Sequence, residues 1–402
     1  MRNRAVLCLL VFLPFFARAE SPKPVTDSAK LTQIAPRMKT FIDKGIVAGT
    51  VTLVERNGEI LHLEAAGYQD IDKKTPMRTD TIFEIMSMTK PVTSVAIMIL
   101  VEEGAVCLYD PVEKYIPEFR GMWVIESRGP GDKTRTLKRP SRPITVYDLL
   151  THTSGMPEMP PESMGAVDFY FHMDKTLAEA VRIYGQQPLE FEPGTKWSYS
   201  NTGMATLGRI VEVASGMAYE RFVDERIFKP LGMVDSSFYP VDGKRERIAS
   251  VYSLQKGKLV SLGDAIYRKG SKYPMPEGGM YSTARDMAAF YQMMLNHGTY
   301  NGHKILSKAA VETMTMVHTV GLPVGTSTAV GWGLGWSILR GPGATLTLSS
   351  MGTFGHGGAF GTQGWVDPAK NLVGVFMLQN SGGGSEPVHE AFREMTNAAV
   401  IQ

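Results

Sequence analysis

The 402-residue chain predicts an α/β (α+β) fold: an antiparallel sheet formed by N- and C-terminal segments flanked by helices, with an inserted mainly helical lobe. Two observations predict this arrangement. β-rich runs lie near both ends of the chain, and helix and loop patterns dominate between them. We expect a single domain over residues 29–402, with an α/β lobe at about 29–104 plus 276–402 and a helical lobe at about 105–275.

The first residues resemble a secretory signal peptide over positions 1–19. Arg2 and Arg4 form a charged start, an apolar core follows, and residues 17–19 give a small-x-small cleavage site. The core is too short to span a bilayer. We therefore expect an exported protein, periplasmic or secreted, that begins at Glu20 and has no stable membrane span after cleavage. An uncleaved membrane anchor is the alternative.

Charge and cysteine content exclude several classes of protein. Without the leader, basic and acidic residues are nearly equal in number, so no nucleic-acid partner is predicted. Cys107 is the only cysteine outside the leader, which excludes an intramolecular disulfide. A large hydrophobic core must therefore stabilise the fold. The histidines show no zinc-ligand spacing, so we expect no metal and no cofactor. The sequence does not predict an oligomeric state.

The N-terminal elements follow from local patterns. The Pro-rich polar residues 20–28 predict a disordered lead-in, and an apolar stripe from Leu31 to Ile42 predicts a helix. Two β-rich runs follow at 49–55 and 59–65. The Asn57-Gly58 pair between them is a strong hairpin signal.

The middle and C-terminal elements are read in the same way. A Gly-Pro turn inside the basic stretch 128–142 favours a solvated hairpin. Capping boxes predict helices after Thr145 and over Met287–Asn296, and a further helix is expected after Thr202. The last part of the chain predicts an antiparallel meander and a final helix. The predicted strands are Trp332–Leu339, Ala344–Ser349, Gln363–Asp367 and Asn371–Leu378, and the helix is Glu386–Val400.

A hydroxyl and an amine stand three residues apart in Ser87-Met88-Thr89-Lys90, at the head of an apolar helical stretch. Positions i and i+3 share one face of a helix, so the amine of Lys90 can reach the oxygen of Ser87 and take its proton. A serine hydroxyl needs such a base to become a good nucleophile. The pattern therefore indicates nucleophilic catalysis.

The same spacing occurs again at Ser253 and Lys256. There a Lys-Gly-Lys turn separates two short apolar runs, which predicts a solvent-facing hairpin rather than a helix. We expect no chemistry at this second copy.

Two further motifs carry polar groups next to predicted elements. Tyr199 and Asn201 lie just before a helix and offer a phenol that relays protons and an amide that holds a carbonyl or an amine. A glycine-rich loop over residues 355–361 leads into a strand, where a backbone can approach a substrate closely. Taken singly, each also fits a structural turn.

Together and in this order, Ser-x-x-Lys, Tyr-x-Asn and His-Gly-Gly resemble the serine β-lactamase and penicillin-binding-protein family, in particular class C β-lactamases and family VIII carboxylesterases. Flanking stretches strengthen the resemblance, which covers nearly all of the chain after the leader. These stretches are Thr81–Ile85, Asp148–Gly155 and Gly278–Ala284.

The resemblance implies a role for each matched residue. Ser87 would be the acylated nucleophile, Lys90 its base or proton partner, and Tyr199 a proton exchanger for the leaving group and the hydrolytic water. Asn201 would orient the substrate or the lysine. The third motif is His356-Gly357-Gly358, and the oxyanion hole would use the backbone N–H groups of Ser87 and Ala359. Whether Lys90 or Tyr199 is the main base stays open.

The third motif differs from the Lys-Thr-Gly or Lys-Ser-Gly of the β-lactamases. A lysine is a permanent cation, whereas a histidine is mostly neutral at pH 7, so binding of anionic substrates should weaken. We therefore expect an exported serine hydrolase of small acyl esters or amides. The alternatives are a β-lactamase proper, a D,D-peptidase or D-aminopeptidase, and a non-catalytic binding protein on the same fold.

Three interpretations concern residues outside these motifs. His152 is expected to be structural, at a helix end. Trp332, Trp336 and Met280 are candidates for an apolar acyl pocket, although such residues are usually core. No Gly-x-Ser-x-Gly occurs, so the nucleophile elbow of α/β-hydrolases is not supported.

Overall fold

A computed structural model describes residues 25–161, 174–240, 242–263, 270–341 and 347–401. The largest sheet among these residues has eight antiparallel strands. The strands, in chain order, are β1 Val25–Thr26, β2 Gly49–Arg56, β3 Glu59–Asp70, β4 Thr75–Pro76, β5 Phe83–Glu84, β6 Val124–Arg128, β7 Arg135–Lys138, β8 Val251–Gln255, β9 Lys258–Gly263, β10 Tyr281–Ser282, β11 Thr299–Tyr300, β12 His303–Lys304, β13 Val330–Trp332, β14 Ser337–Leu339, β15 Phe354–Gly357, β16 Gln363–Asp367, β17 Leu372–Met377, β18 Asn380–Ser381 and β19 Val400–Ile401.

Some α-helices pack against this sheet, and others pack mainly against one another. They are α1 Ser28–Leu31, α2 Ile34–Asp43, α3 Thr89–Glu102, α4 Val146–Leu150, α5 Leu177–Tyr184, α6 Asn201–Ser215, α7 Tyr219–Val223, α8 Lys229–Leu231, α9 Ala284–Leu295, α10 Lys308–Thr315 and α11 Glu386–Ala398.

The eight strands run in the order β13-β14-β15-β16-β17-β2-β3-β4. Strand β17, from the C-terminal part, pairs with β2, from the N-terminal part, so that Met377 lies opposite Val51. Strands from the N-terminal and the C-terminal parts of the chain thus form one sheet, and the predicted fold class is confirmed. The limits assigned to the two lobes stay a prediction.

The two faces of the sheet belong to two hydrophobic clusters. Side chains alternate along a strand, so Val51 and Leu53 of β2 join the cluster with α3 and α9, while Val54 joins the cluster with α2 and α11. The ring of Trp365 packs against Phe392 of α11, with centroids 5.3 Å apart. Helix α3, which follows Ser87, is therefore buried on nearly all sides.

Several predicted elements are confirmed. Asn57 and Gly58 join β2 and β3 as a hairpin, and the basic stretch forms the β6–β7 hairpin. The capping box at Thr145 opens α4. Thr283 caps α9, which begins at Ala284 and ends at Leu295, one residue before the predicted end.

The C-terminal strands differ from the prediction. The expected strand Trp332–Leu339 is two strands, β13 and β14, because Gly335 takes a left-handed φ of +81° in a turn between them. The expected strand Ala344–Ser349 is wrong for residues 347–349, which are irregular, and its first three residues lie outside the described ranges. Its place in the sheet is taken by β15, which the sequence had indicated as a loop.

The ends of the chain are more ordered than predicted. Val25 and Thr26 pair with Ile401 and Val400, and Asp27 caps α1, so the disorder expected for residues 20–28 is wrong for 25–28. Residues 20–24 and the leader lie outside the described ranges. The final helix ends at Ala398 instead of Val400, since the last residues join β19.

Candidate active site

Ser87 lies in a tight turn between β5 and α3. The turn is a 3-10 helix over Met86–Met88, so Ser87 precedes the α-helix that was expected to carry it. Met86 has a left-handed φ of +47°, a strained conformation for a residue with a side chain. The hydroxyl of Thr89 donates to the carbonyl oxygen of Met86 at 2.7 Å and closes the turn. The N–H of Met88 donates to the carbonyl oxygen of Ile85 at 3.1 Å, within the same turn.

Lys90 is completely buried in the first turn of α3. Its Nζ donates to Ser87 Oγ at 2.9 Å and to the backbone oxygen of Glu277 at 2.6 Å. Burial lowers the pKa of Lys90 to about 7, against the opposing effect of the negative charges of Glu277 and Glu158. The amine is therefore neutral in a large fraction of molecules near neutral pH, and it is positioned to accept a proton.

Tyr199 ends the loop before α6. Ser200 caps that helix by accepting a hydrogen bond from the N–H of Gly203 at 2.9 Å. The hydroxyl of Tyr199 is hydrogen-bonded to the side chain of Ser87, and burial raises the pKa of the phenol well above its usual value. The Nζ of Lys90 lies 4.7 Å from the centre of its ring. At neutral pH Tyr199 is thus a protonated phenol that can donate.

His356 lies on β15, opposite Gly364 of β16. Its ring lies 6.1 Å from that of Tyr199 and 5.6 Å from that of Trp332. Nδ1 is 2.7 Å from the carbonyl oxygen of Gly357, and since a carbonyl only accepts, Nδ1 must carry the proton. Burial, and then the charge of Lys90, lower the pKa of His356 to about 3, so the ring is neutral at pH 7.

The residues after His356 lie against Ile85, directly before the turn that contains Ser87. A Cβ atom on Gly358 would lie 2.3 Å from the carbonyl oxygen of Ile85, so only glycine fits this approach. The N–H of Gly358 donates to Thr362 O at 2.7 Å, and the hydroxyl of Thr362 donates to Ile85 O at 3.1 Å. Gly357 and Ala359, on either side of Gly358, are exposed.

Asn201 is the first residue of α6. Its amide donates to the sulfur of Met159 at 3.7 Å, whereas the described hydrogen bonds of Lys90 go to Ser87 and Glu277. No described contact links Asn201 to Lys90. Orientation of the substrate, the other role expected of Asn201, stays a prediction.

His152 supports Tyr199, as its expected structural role implies. It is 1% exposed, and its Nδ1 accepts from the N–H of Ser200 at 3.2 Å. Its ring lies 4.7 Å from that of Tyr199 and 5.0 Å from that of Trp332. Burial lowers its pKa well below the usual value, so the ring is neutral.

The three candidates for an acyl pocket separate in the structure. Trp332 lies beside Tyr199 and His356. Trp336 and Met280 have no exposed surface and belong to the core, where Trp336 packs edge-on against Phe354. Both side chains belong to the core cluster that also contains residues of α3 and α9, in agreement with the core role that is usual for such residues.

Sequence reasoning missed two residues near Ser87 and its partners. Trp197 lies 5.3 Å from Trp332 and 6.0 Å from His152, ring centre to ring centre. Glu277 accepts the hydrogen bond from Lys90 through its main chain, which no sequence pattern reports. An acidic residue directly before Gly278, in an otherwise apolar stretch, was the available signal.

Within the described ranges, no group of three or more His, Cys, Asp or Glu side chains is arranged to hold a metal ion. In the same residues, no helix has the length and apolar character needed to cross a membrane.

Comparison with known proteins decides the family. A family model described as beta-lactamase matches residues 34–398, which is most of the chain. The chain belongs to the beta-lactamase family. Within this family of serine hydrolases, it is 31% identical to Esterase EstB of Burkholderia gladioli over 420 aligned positions, covering 94% of this chain and 99% of the esterase.

Two other proteins are similar to this chain over most of its length. A putative D-alanyl-D-alanine carboxypeptidase of Salmonella typhimurium is 28% identical, with 90% of this chain and 86% of that protein covered. Among solved structures, EstCE1, described as a hydrolase with promiscuous acyltransferase activity, superposes with a TM-score of 0.78 at 24% identity. That alignment covers 92% of this chain and 99% of EstCE1, and it shows the shared fold.

Proposed function

We propose that this protein is an exported carboxylesterase that hydrolyses small neutral acyl esters through an acyl-enzyme on Ser87. One observation carries the proposal: the buried amine of Lys90, with a pKa lowered to about 7, lies 2.9 Å from the hydroxyl of Ser87. The similarity to Esterase EstB over almost the whole chain supports an ester as the substrate.

Acylation uses three side chains and two backbone donors. Neutral Lys90 accepts the hydroxyl proton as Ser87 Oγ attacks the ester carbonyl carbon. The carbonyl oxygen becomes negative and is stabilised by the N–H groups of Ser87 and Ala359, each worth about 3–4 kcal/mol in such sites. The C–O bond to the alcohol then breaks, and the leaving oxygen takes a proton from Tyr199, which regains one from Lys90.

Deacylation reverses these transfers with water in place of the alcohol. A water attacks the acyl carbonyl carbon, and its proton passes through the Tyr199 phenol to Lys90. The bond from Ser87 Oγ to the acyl carbon then breaks, Lys90 returns the proton to Ser87 Oγ, and the carboxylic acid is released. The raised pKa of Tyr199 and the lowered pKa of Lys90 favour the lysine as the base and the tyrosine as the relay.

The neutral ring of His356 supports a neutral substrate. A β-lactam or a peptide terminus carries a carboxylate that a lysine in the third motif would hold through its charge. His356, with a pKa of about 3, offers no charge at neutral pH, and its Nδ1 proton is already donated to Gly357. Hydrolysis of β-lactams is therefore proposed as a weak side activity.

The test compares two substrates on the purified protein from residue 20 onward. We expect kcat/KM for p-nitrophenyl butyrate to exceed that for nitrocefin by orders of magnitude, with both lost in Ser87→Ala. His356→Lys should raise nitrocefin hydrolysis relative to ester hydrolysis by about tenfold, as expected for one added charge contact. Dominant nitrocefin hydrolysis by the unaltered protein would contradict the ester assignment.

A D,D-carboxypeptidase is the second candidate, favoured by the similarity to the putative Salmonella carboxypeptidase. An enzyme of that kind would deacylate slowly after reaction with penicillin. Labelling of Ser87 by a fluorescent penicillin that persists for hours, together with release of D-alanine from a D-Ala-D-Ala peptide, would support it. Rapid loss of the label and no released D-alanine would favour the esterase.

Export is proposed from the leader at residues 1–19, which lie outside the described ranges. In a bacterial host the mature protein should start at Glu20 and be recovered from the periplasm or the medium. N-terminal sequencing of the recovered protein tests this. A protein that retains Arg2 and sediments with membranes would indicate an uncleaved anchor instead.

A further inference from the structure

A carboxylate lies buried behind the catalytic lysine, and the proposed mechanism does not use it. Lys90 donates to the backbone oxygen of Glu277 at 2.6 Å, and Glu277 itself is only 2% exposed. A carboxylate out of water is costly unless hydrogen bonds and opposite charges compensate for it. Its burial next to a buried amine therefore needs an account.

The side chain of Glu277 is held by a tyrosine. The hydroxyl of Tyr273 lies 3.0 Å from one carboxylate oxygen and 3.3 Å from the other, and Tyr273 has no exposed surface. The oxygen of the Tyr184 hydroxyl is 3.4 Å from that of Tyr273. The carboxylate thus has a defined orientation.

The main chain around Glu277 is fixed to the helix that carries the lysine. The hydroxyl of Thr93, one turn after Lys90 on α3, donates to the backbone oxygen of Pro276 at 2.6 Å. The N–H groups of Gly278 and Gly279 turn back to the carbonyl oxygen of Met275. Helix α3 and the Glu277 segment are therefore joined directly by hydrogen bonds.

The groups that act on Lys90 fall into two sets. Glu277 and Glu158 are negative and favour its charged form, but Glu158 is exposed and Glu277 is buried. His152, His356 and the ring of Tyr199 also face the amine and are neutral. Salt screens an exposed charge far more than a buried one, so Glu277 provides the persistent field.

We propose that Glu277 is a positioning residue: its backbone oxygen directs the amine of Lys90 toward Ser87, and its buried carboxylate determines the pH at which that amine becomes free to act as the base. This inference rests on the proposed function. Tyr273 takes part by holding the carboxylate in place. The exposed Glu158 contributes a weaker, salt-sensitive part of the same effect.

The test is the pH dependence of kcat/KM in Glu277→Gln and in the matched control Glu158→Gln. Loss of a nearby negative charge makes the charged lysine less favourable, so the acid limb should move to lower pH, by about one pH unit or more for Glu277→Gln. The shift in Glu158→Gln should be smaller and should vanish in about 1 M salt. Glu277→Asp, which keeps the charge, should restore the limb toward its original position.

A second measurement separates this inference from the proposed function. The rate at which a fluorophosphonate labels Ser87 depends on the same base and needs no ester substrate. Suppose that esters are not hydrolysed, but that the acid limb in the pH profile of the labelling rate moves to lower pH in Glu277→Gln. The esterase proposal then fails and the role of Glu277 stands. An unmoved limb in Glu277→Gln, or a larger shift in Glu158→Gln, would overturn the role of Glu277.

A third variant keeps the test decisive should Glu277→Gln not fold. Tyr273→Phe removes the hydroxyl that holds the carboxylate and keeps the aromatic ring in the core. It should move the acid limb in the same direction by less. An unmoved limb in a folded Tyr273→Phe protein would overturn the proposal in that case.

Discussion

Two Ser-x-x-Lys sequences in this chain fold into different structures. Ser87 lies in the 3-10 turn that leads into the buried helix α3 and Lys90 lies in the first turn of that helix, with the amine 2.9 Å from the hydroxyl. Ser253 lies on β8, and Lys256 lies exposed in the turn to β9 with a φ of +49°. Three residues advance about 4.5 Å along a helix but about 10 Å along a strand. The same motif therefore brings its serine and lysine together only where the backbone is helical.

The serine substitutions test this comparison with the largest expected effect. Ser87→Ala should lower kcat for ester hydrolysis by roughly 10⁴-fold or more, because the attacking oxygen is lost. Ser253→Ala, the matched control on the hairpin, should leave kcat and KM unchanged. Steady-state kinetics with p-nitrophenyl butyrate measures both, and substantial activity in Ser87→Ala would break the comparison.

The lysines should differ by a smaller factor. Lys90→Met should reduce kcat/KM roughly 10³-fold through loss of the base, while Lys256→Met has no effect. Replacing a buried amine by an apolar side chain of similar length should not lower the free energy of unfolding. Kinetics combined with thermal unfolding separates the two effects. A Lys90→Met protein that loses activity only because it unfolds would contradict the catalytic reading.

Substitutions of the neighbouring residues Gly357 and Gly358 test whether the N–H of Ala359 stabilises the oxyanion. In Gly358→Ala the new Cβ would meet the carbonyl oxygen of Ile85 at 2.3 Å, so the loop must move and the Ala359 donor with it. We expect a loss in kcat of about 10²-fold or more. In Gly357→Ala the nearest atom is 3.6 Å away, an ordinary contact, and activity should be retained. Equal losses in both variants would argue against a donor at Ala359.

The smallest effect concerns pH. Because the neutral amine of Lys90 is the base and its pKa is about 7, kcat/KM should fall about tenfold for each pH unit below that value. Lys256→Met should show the same limb as the unaltered protein. A profile that is flat from pH 5 to 8 would mean that Lys90 is not the titrating base.

The sequence predicted much of the site through residue spacing and motif order. Ser87 and Lys90 are linked by helical spacing, and the order of the three motifs brought Tyr199 and His356 into the same prediction. Strand β15 was missed because Phe354-Gly355-His356-Gly357 is rich in glycine, which usually signals a loop. In the structure its pairing with β14 and β16 overrides that local preference.

Other parts of the site depend on contacts between distant segments. The hydrogen bond from Lys90 to the main chain of Glu277 spans 187 residues and leaves no side-chain signature. The amide of Asn201 contacts the sulfur of Met159, which lies 42 residues earlier in the segment after α4. Trp332 and Trp336 are four residues apart, yet only Trp332 lies at the site, because Trp332 ends β13 and Trp336 follows the turn that leads to β14.

The sequence by itself determined the family, the fold class, the pairing of Ser87 with Lys90, and the histidine at the start of the third motif, because these depend on residue type, local spacing and motif order. Only the tertiary structure decided that Lys90 is fully buried and that Gly358 packs on Ile85. It also decided the pKa of Lys90, which burial lowers and the charges of Glu277 and Glu158 raise. The burial of a side chain and the electrostatic potential at that side chain depend on all the atoms packed around it. Those atoms come from segments that are far apart in the chain.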